Sequence, residues 1–530
     1  MDKSMVVARC HDLFAFVMFV HCLQPVRFVL DQSCIHVSIF PFHAAGMEDD
    51  VAPAADEPMA DAEDLVGDVP AGPRTLQDML HGYGNAYWAR LPQEVQQHVS
   101  DCCGSQTLHM ASFYSGWDAY CLGTAKVQDH AGFGLDFFHS CELVQARREF
   151  IKTHDCRMRP RHLFGDHTLY VDEALMLNAQ TILASHLTDV QERLDAGWTH
   201  DVVKQQVEES LIHALHSLFK GAPLRDLQYC HICDRLCSTW DTPDNGHDCI
   251  GVTAGTCCYD HSKFNQSRSK RANVVSNTIL VWVVFAWIMA VRQPDFIIEE
   301  CVPDSLVLVS GLCLFLGIHW DVQTVYLDPK MFGNPQTGMR RYTVYRNMAK
   351  RFWKQAFPHP VPLFGSFCVL DLSIFFAADK EFVALALQKA RRKAGYPMND
   401  GSISWKDTLR QFNHQTLAKF LVERYPQLKH LHGKHVLFLT DQTEKYGLVE
   451  GPYARRLLLK TMPFNLLLQR PQLASEAMLQ MGMPAFEEPW RTFLSTTPDV
   501  VTREVAGNGL HPAVYAAVLL ALLTTMGNRK

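Results

Sequence analysis

The sequence predicts an α/β fold: a sheet with much parallel pairing and a smaller second domain. Three observations predict it. Short apolar runs recur from about residue 75, separated by longer segments with helical spacing. Polar and reactive residues follow several of those runs, where α/β sheets keep their ligands. Residues 346–465 break the alternation and read as mixed, basic and aromatic, which sets them apart as a second unit.

Taken in order, the chain opens on an unusual segment. Leu13–Leu23 is apolar but too short to span a bilayer. A signal or transit segment and a poorly defined start ahead of Met47 both remain open. Residues 46–73 are rich in Ala, Asp, Glu and Pro and are expected to be disordered, so residues 1–74 read as a leader, largely disordered and acidic. The runs Leu135–His139, Cys249–Thr253, Phe296–Ile298 and Tyr342–Tyr345 are predicted strands. Val144–Thr153 and Asn273–Arg292 are predicted helices. Residues 171–246 interrupt this pattern with helical material and a cysteine-containing stretch. The last 65 residues or so return to apolar helix, ending in Pro512–Leu523. Thr278–Val291 has about 14 residues, nearer a buried helix than a span, so no membrane partner is expected.

The formal charge of −7 argues at first against a polyanionic partner. Nine acidic residues fall within residues 48–72, however, with no Lys or Arg among them; set aside, they leave +2. Basic clusters then stand out at Arg268–Lys270–Arg271, Arg340–Arg341–Arg346, Lys350–Arg351–Lys354 and Arg391–Arg392–Lys393. Local patches on a near-neutral body are compatible with a phosphate backbone. The 17 cysteines show no disulfide rhythm and point to reduced thiols inside a cell.

Two segments carry candidate chemistry. In HDCIGVTAGTCCYDHS, residues 247–262, a strand runs into small residues and then two cysteines. A thiolate just past a strand end is a strong nucleophile in the place where such sheets react. In PDFIIEECVPD, residues 294–304, a strand delivers Glu299 and Glu300, and a carboxyl there can hold a substrate or act as an acid.

In order and spacing these segments resemble the DNA cytosine-5 methyltransferases. GTCCYDHS resembles the family's nucleophile motif, with Cys258 as nucleophile and Cys257 in place of its proline. Glu300–Cys301–Val302 is similar to Glu-Asn-Val. ASFYSGWDAYCLG, residues 111–123, resembles the first cofactor motif, with Tyr114, Ser115 and Gly116 in the turn and Asp118 in place of a second glycine. LDFFHSCEL and HLFGDHT resemble the next two, which implies Glu142 at the ribose and Asp166 at the adenine. FGNPQTGMRRYTVY is similar to Pro-Gln-x-Arg-x-Arg, with Arg340 as the second arginine and Gly338 where the first belongs. RPQLASEAMLQMGMP and GNGLHPAVYAAVLLALL resemble the closing motifs, the latter placing Asn508 at the cofactor.

The resemblance implies an S-adenosylmethionine-dependent methyltransferase (Rossmann-like) sheet with helices on both faces, plus a target-recognition domain. It divides the chain into a catalytic domain at residues 75–345, with an insertion at 171–246, and a recognition domain at 346–465. Residues 466–530 return to the catalytic domain. It implies S-adenosyl-L-methionine as cofactor, duplex DNA with a flipped cytosine as partner, and the nucleus as location. Cys258, Glu300 and Arg340 would be catalytic. The altered positions also admit a silent DNA-binding relative, and RNA is not excluded. Cys230-x2-Cys233-x3-Cys237, with His231 nearby and Cys249 beyond, begins like a zinc site but lacks a well-spaced second pair. Free thiols, with no metal, are the expectation.

Overall fold

The computed structural model describes residues 27–31, 34–38, 70–114, 116–242, 247–256, 278–303, 305–397, 404–405, 407–408, 415–439, 448–449, 451–455 and 462–529. Leu13–Leu23, almost all of the acidic leader, and Cys257–Cys258 with the basic segment after them lie outside the described residues. The chain divides into two units, Met1–Gly67 and Asp68–Lys530. In the first, β1 (Arg27–Asp31) and β2 (Cys34–Ser38) pair antiparallel.

The second unit is built on a seven-stranded sheet. Its members are β3 (Thr107–Phe113), β4 (Gly134–Cys141), β5 (His162–Phe164), β8 (Cys249–Gly255), β9 (Phe296–Cys301), β10 (Trp320–Leu327) and β12 (Arg340–Asn347). The intervening β6 (Leu227–Cys230) and β7 (Arg235–Ser238) form a separate hairpin, and β11 is the short Gln336–Thr337. The order across the sheet is β10-β12-β9-β8-β3-β4-β5. β12 runs antiparallel to both neighbours, and all the other pairings are parallel. From central β3 the chain builds outward to β5, then crosses back to β8 and builds the other way. The topological switch point therefore lies between β3 and β8, where such sheets open a crevice at the strands' carboxyl ends. The expected α/β class is what the structure shows, and all four predicted strands form with longer ends.

Helices cover both faces because the central strands are apolar on both sides. On one face lie α1 (Tyr83–Trp88), α2 (Gln93–Cys103), α3 (Ala119–Ala131) and the C-terminal helix Pro512–Leu523. On the other, α6 (His200–Phe219), α7 (Thr278–Arg292) and α8 (Leu306–Leu316) pack around Phe285, Trp287 and Leu312, with α5 (Glu173–Asp195) beside α6. Between them in sequence, α4 is Gln145–Lys152. α7 is the predicted buried helix. Asp499–Leu523 is long and apolar enough to cross a membrane, but 94% of its apolar window is buried within the protein. Residues 346–465 contribute helix Lys380–Lys393 and most of a small antiparallel sheet spanning Leu437–Pro471; they pack into two small cores, one completed by Met79, Leu80 and Leu479 and the other by Leu466.

One expectation fails here. Arg341, Arg346 and Arg351 do not form surface patches for phosphate. They are buried, paired with Glu299 at 3.1 Å, with Asp321, and with Asp295 at 3.2 Å respectively. The first two belong to β12, which is covered on both faces, so a basic run in sequence becomes internal ion pairs in the fold.

Candidate functional site at the sheet's carboxyl edge

Register aligns the strand ends. Phe113 of β3 stands opposite Cys141 of β4 and Ala254 of β8, and Gly255 of β8 stands opposite Glu300 of β9. The segments leaving these strands therefore converge along one edge.

The turn after β3 is tight. Tyr114, Gly116 and Asp118 have φ of 55°, 59° and 56°. Glycine takes such a backbone without strain, and Asp is among the few other residues that tolerate it. Asp118 is fully buried, and its carboxylate accepts hydrogen bonds from Ser112 Oγ at 2.7 Å and Ser140 Oγ at 2.8 Å. The altered position thus has a built-in compensation: the side chain ties β3 to β4 while the backbone keeps the glycine-like conformation. Trp117 is fully buried against Gly509, where an added Cβ would lie 2.0 Å from Trp117 Nε1. Gly255 backs onto the same turn, its notional Cβ 3.4 Å from the Tyr114 carbonyl.

Glu142 follows β4 and reaches into this turn. One carboxylate oxygen accepts the Gly116 N–H at 2.8 Å, and the other accepts the Val144 N–H at 2.9 Å and faces Arg147 at 3.4 Å. Asp166 follows β5 and caps the next turn by accepting the Thr168 N–H at 2.9 Å. His167 stands edge-on to Tyr114, with ring centroids 5.0 Å apart, and is held by the Val281 carbonyl at 2.8 Å. Burial lowers the His167 pKa and favours its neutral form.

On the β8–β9 side, Glu299 and Glu300 separate by strand alternation. Glu299 lies within the protein, bound by Arg341 and by Tyr345 OH at 3.0 Å. Glu300 pairs with Arg340 Nε at 3.0 Å. The Glu300 carbonyl also accepts the Thr256 N–H at 3.1 Å and Thr256 Oγ1 at 3.3 Å. Thr256 is the last described residue before Cys258, so the exit of β8 is fastened to Glu300's own backbone. Gly338 donates its N–H to buried Asp328 at 2.9 Å. Burial raises the Asp328 pKa.

The structure therefore brings Tyr114, Gly116 and Glu142 into one turn, Asp166 to the end of the adjacent strand, and Glu300 to Arg340. Cys258 and Ser115 lie outside the described residues, as does the side chain of Asn508. Sequence reasoning missed Trp117, Gly509 and the link from Thr253 to Tyr515 OH at 2.8 Å. The small residues flanking Asn508 were the one available signal.

No protein-family model matches the sequence, and no curated protein matches it. Among solved structures, an E. coli protein assigned as a prophage-encoded DNA modification methyltransferase is similar over 79% of this chain and 99% of its own, with 14% identity and a TM-score of 0.37. The S. pombe Dnmt2 methyltransferase covers 79% and 98%, with 12% identity and a TM-score of 0.36. The Entamoeba histolytica methyltransferase EhMeth covers the same shares, with 11% identity and a TM-score of 0.37. At these values the likeness is loose.

Proposed function

We propose that the chain transfers a methyl group from S-adenosyl-L-methionine to carbon 5 of cytosine in duplex DNA, through a covalent adduct on Cys258. The observation that carries this reading is the Glu300–Arg340 pair, 3.0 Å apart, on the strand whose Glu300 carbonyl holds Thr256, two residues before Cys258. On this reading residues 75–345, with their insertion at 171–246, and residues 466–530 are the catalytic domain. Residues 346–465 select the target. A DNA substrate would place the protein in the nucleus.

The residues at the switch point fit the cofactor. A carboxylate offers about four lone-pair sites, so Glu142 keeps capacity for ribose hydroxyls beyond its present partners. Gly116 lets a ligand approach the backbone closely. Asp166 would take the adenine amino group. Bound there, S-adenosyl-L-methionine supplies the methyl group.

The chain's own residues do the rest. The Cys258 thiolate adds to carbon 6 of a cytosine drawn out of the stack. Glu300 shares a proton with ring nitrogen 3 and stabilises the adduct, and Arg340 fixes the Glu300 carboxyl. Carbon 5, now enamine-like, accepts the methyl group. Loss of the carbon 5 proton restores the ring and expels the thiolate.

Trapping tests this. Protein, S-adenosyl-L-methionine and duplex DNA containing 5-fluorocytosine are incubated beside a Cys258→Ser variant, with fluorinated transfer RNA in a parallel arm. Fluorine cannot leave as the proton does, so a denaturant-stable DNA adduct absent from the variant is expected. An adduct on RNA alone would move the substrate to RNA. Measurable cofactor binding with no adduct on either would leave a silent nucleic-acid-binding relative.

A further inference from the structure

We propose that His162, Cys230, Cys233 and Cys237 bind one zinc ion in a closed tetrahedral site. One ligand atom from each of the four lies within 4.8 Å of all the others. A tetrahedral zinc with bonds of about 2.3 Å to sulfur and 2.0 Å to nitrogen spaces its ligand atoms about 3.5–3.8 Å apart. Cys233 Sγ and His162 Nδ1 already stand 3.5 Å apart. The three cysteines are free rather than bridged to one another.

The surroundings are those of a metal site. The Leu163 and Cys233 N–H groups both point at Cys230 Sγ at 3.4 Å, so this buried sulfur is an acceptor, as a thiolate is. Three thiolates this close repel unless a cation joins them, and soft sulfur ligands with one imidazole select zinc. His162 turns its Nε2 toward Asp241, 3.6 Å away. A carboxylate behind a ligating imidazole fixes the ring and raises its basicity. Binding would release the thiol protons to solvent. The turn that brings the cysteines together has Asp234 at φ of 55°, its N–H bonded to the Cys230 carbonyl at 2.9 Å.

The fourth ligand is not the one the sequence offers. His231 packs edge-on against Tyr229, and Cys249 lies in β8 beside Met526. His162 is 71 residues from Cys233 in sequence and opens β5. The ion would bind the β6–β7 hairpin, which closes the 171–246 insertion, to the edge strand of the main sheet. A backbone bond from His231 N–H to the Leu163 carbonyl at 2.7 Å marks the same seam.

The test is metal content of the full chain, purified without chelators. Mass spectrometry of the metals should find about one zinc per chain. Cys233→Ser and His162→Ala should each cut that content to about a tenth, while Cys156→Ser, at an exposed cysteine outside the cluster, leaves it unchanged. Cobalt(II) exchanged into the wild type should show thiolate charge-transfer absorption and the intense visible bands of a tetrahedral site. The wild-type measurements stand even if a variant fails to fold. Wild-type protein with no stoichiometric zinc and no tetrahedral cobalt spectrum would overturn the proposal.

Discussion

At the scale of single residues, strand alternation assigns two neighbouring glutamates to different work. Glu299 and Arg341 are fully buried and paired, so removing one charge strands the other. Breaking such a pair costs about 3–5 kcal/mol. Glu299→Gln should therefore lower stability by that amount in urea titrations. Glu300 has a partner in Arg340 that retains 19% side-chain exposure and lies at the site edge. Glu300→Gln should cost less stability than Glu299→Gln, because Arg340 is partly solvated, and on the proposed function it should reduce methyl incorporation by about 10²–10⁴-fold, the usual contribution of a positioned acid. Equal stability losses in both variants would contradict this division. The pair Glu299–Glu300 was visible in the sequence at the end of a strand. Strand phase alone leaves the choice between them open; the resemblance of Glu300–Cys301–Val302 to Glu-Asn-Val singles out Glu300, and the 3.0 Å contact with Arg340 is what the fold adds. Asp118 was visible too, as a departure from glycine. Its bonds to Ser112 and Ser140 were not, because they join residues of separate strands.

At the scale of elements, the turn after β3 is shaped by a partner from the far end of the chain. Gly509 precedes the helix Pro512–Leu523, and Gly123 of α3 meets that helix so closely that a Cβ would lie 2.8 Å from the Pro512 carbonyl. Trp117 fills the space over Gly509. Gly509→Ala should force Trp117 or the turn to move, at a cost of about 1–3 kcal/mol for overpacking. Because Gly116 lies in that turn and Glu142 bonds to it, on the proposed function affinity for S-adenosylmethionine should fall as well. Calorimetric titration of the variant checks this, and unchanged affinity would mean the turn tolerates the shift. The long apolar runs were readable as elements because their composition alone commits them to burial. β5 has three residues, and the β6–β7 hairpin has strands of four, too short for periodicity to speak. The cluster of His162, Cys230, Cys233 and Cys237 depends on both, which is why the cysteine spacing alone looked incomplete.

At the scale of the whole molecule, buried histidines give stability a predictable dependence on pH. His139 lies in β4 with its Nε2 2.9 Å from Tyr170 OH, and burial lowers its pKa to about 3. His154, just after α4, is lowered by burial to about 4. In the unfolded chain both titrate near 6.5. Between the folded and unfolded values the unfolded state holds more protons, so stability falls as pH drops below about 6.5. Each histidine contributes a slope of up to about 1.4 kcal/mol per pH unit in that window. His109 acts in the opposite sense. Burial opposes its charge, but bonds to Asp136 at 2.6 Å and Asp248 at 3.2 Å outweigh that and raise its pKa. Its contribution is complete below the unfolded value and is lost as pH rises through the folded one. These histidines together predict a stability maximum near pH 6.5, with a steep acid side and a shallower alkaline side. Urea midpoints measured from about pH 5 to pH 8 should trace that dome. His154→Leu should flatten the acid side by about 1.4 kcal/mol per pH unit, and His109→Gln should flatten the alkaline side without touching the acid one. An acid limb unchanged in His154→Leu would mean that this histidine is charged, and therefore solvated, in the folded protein.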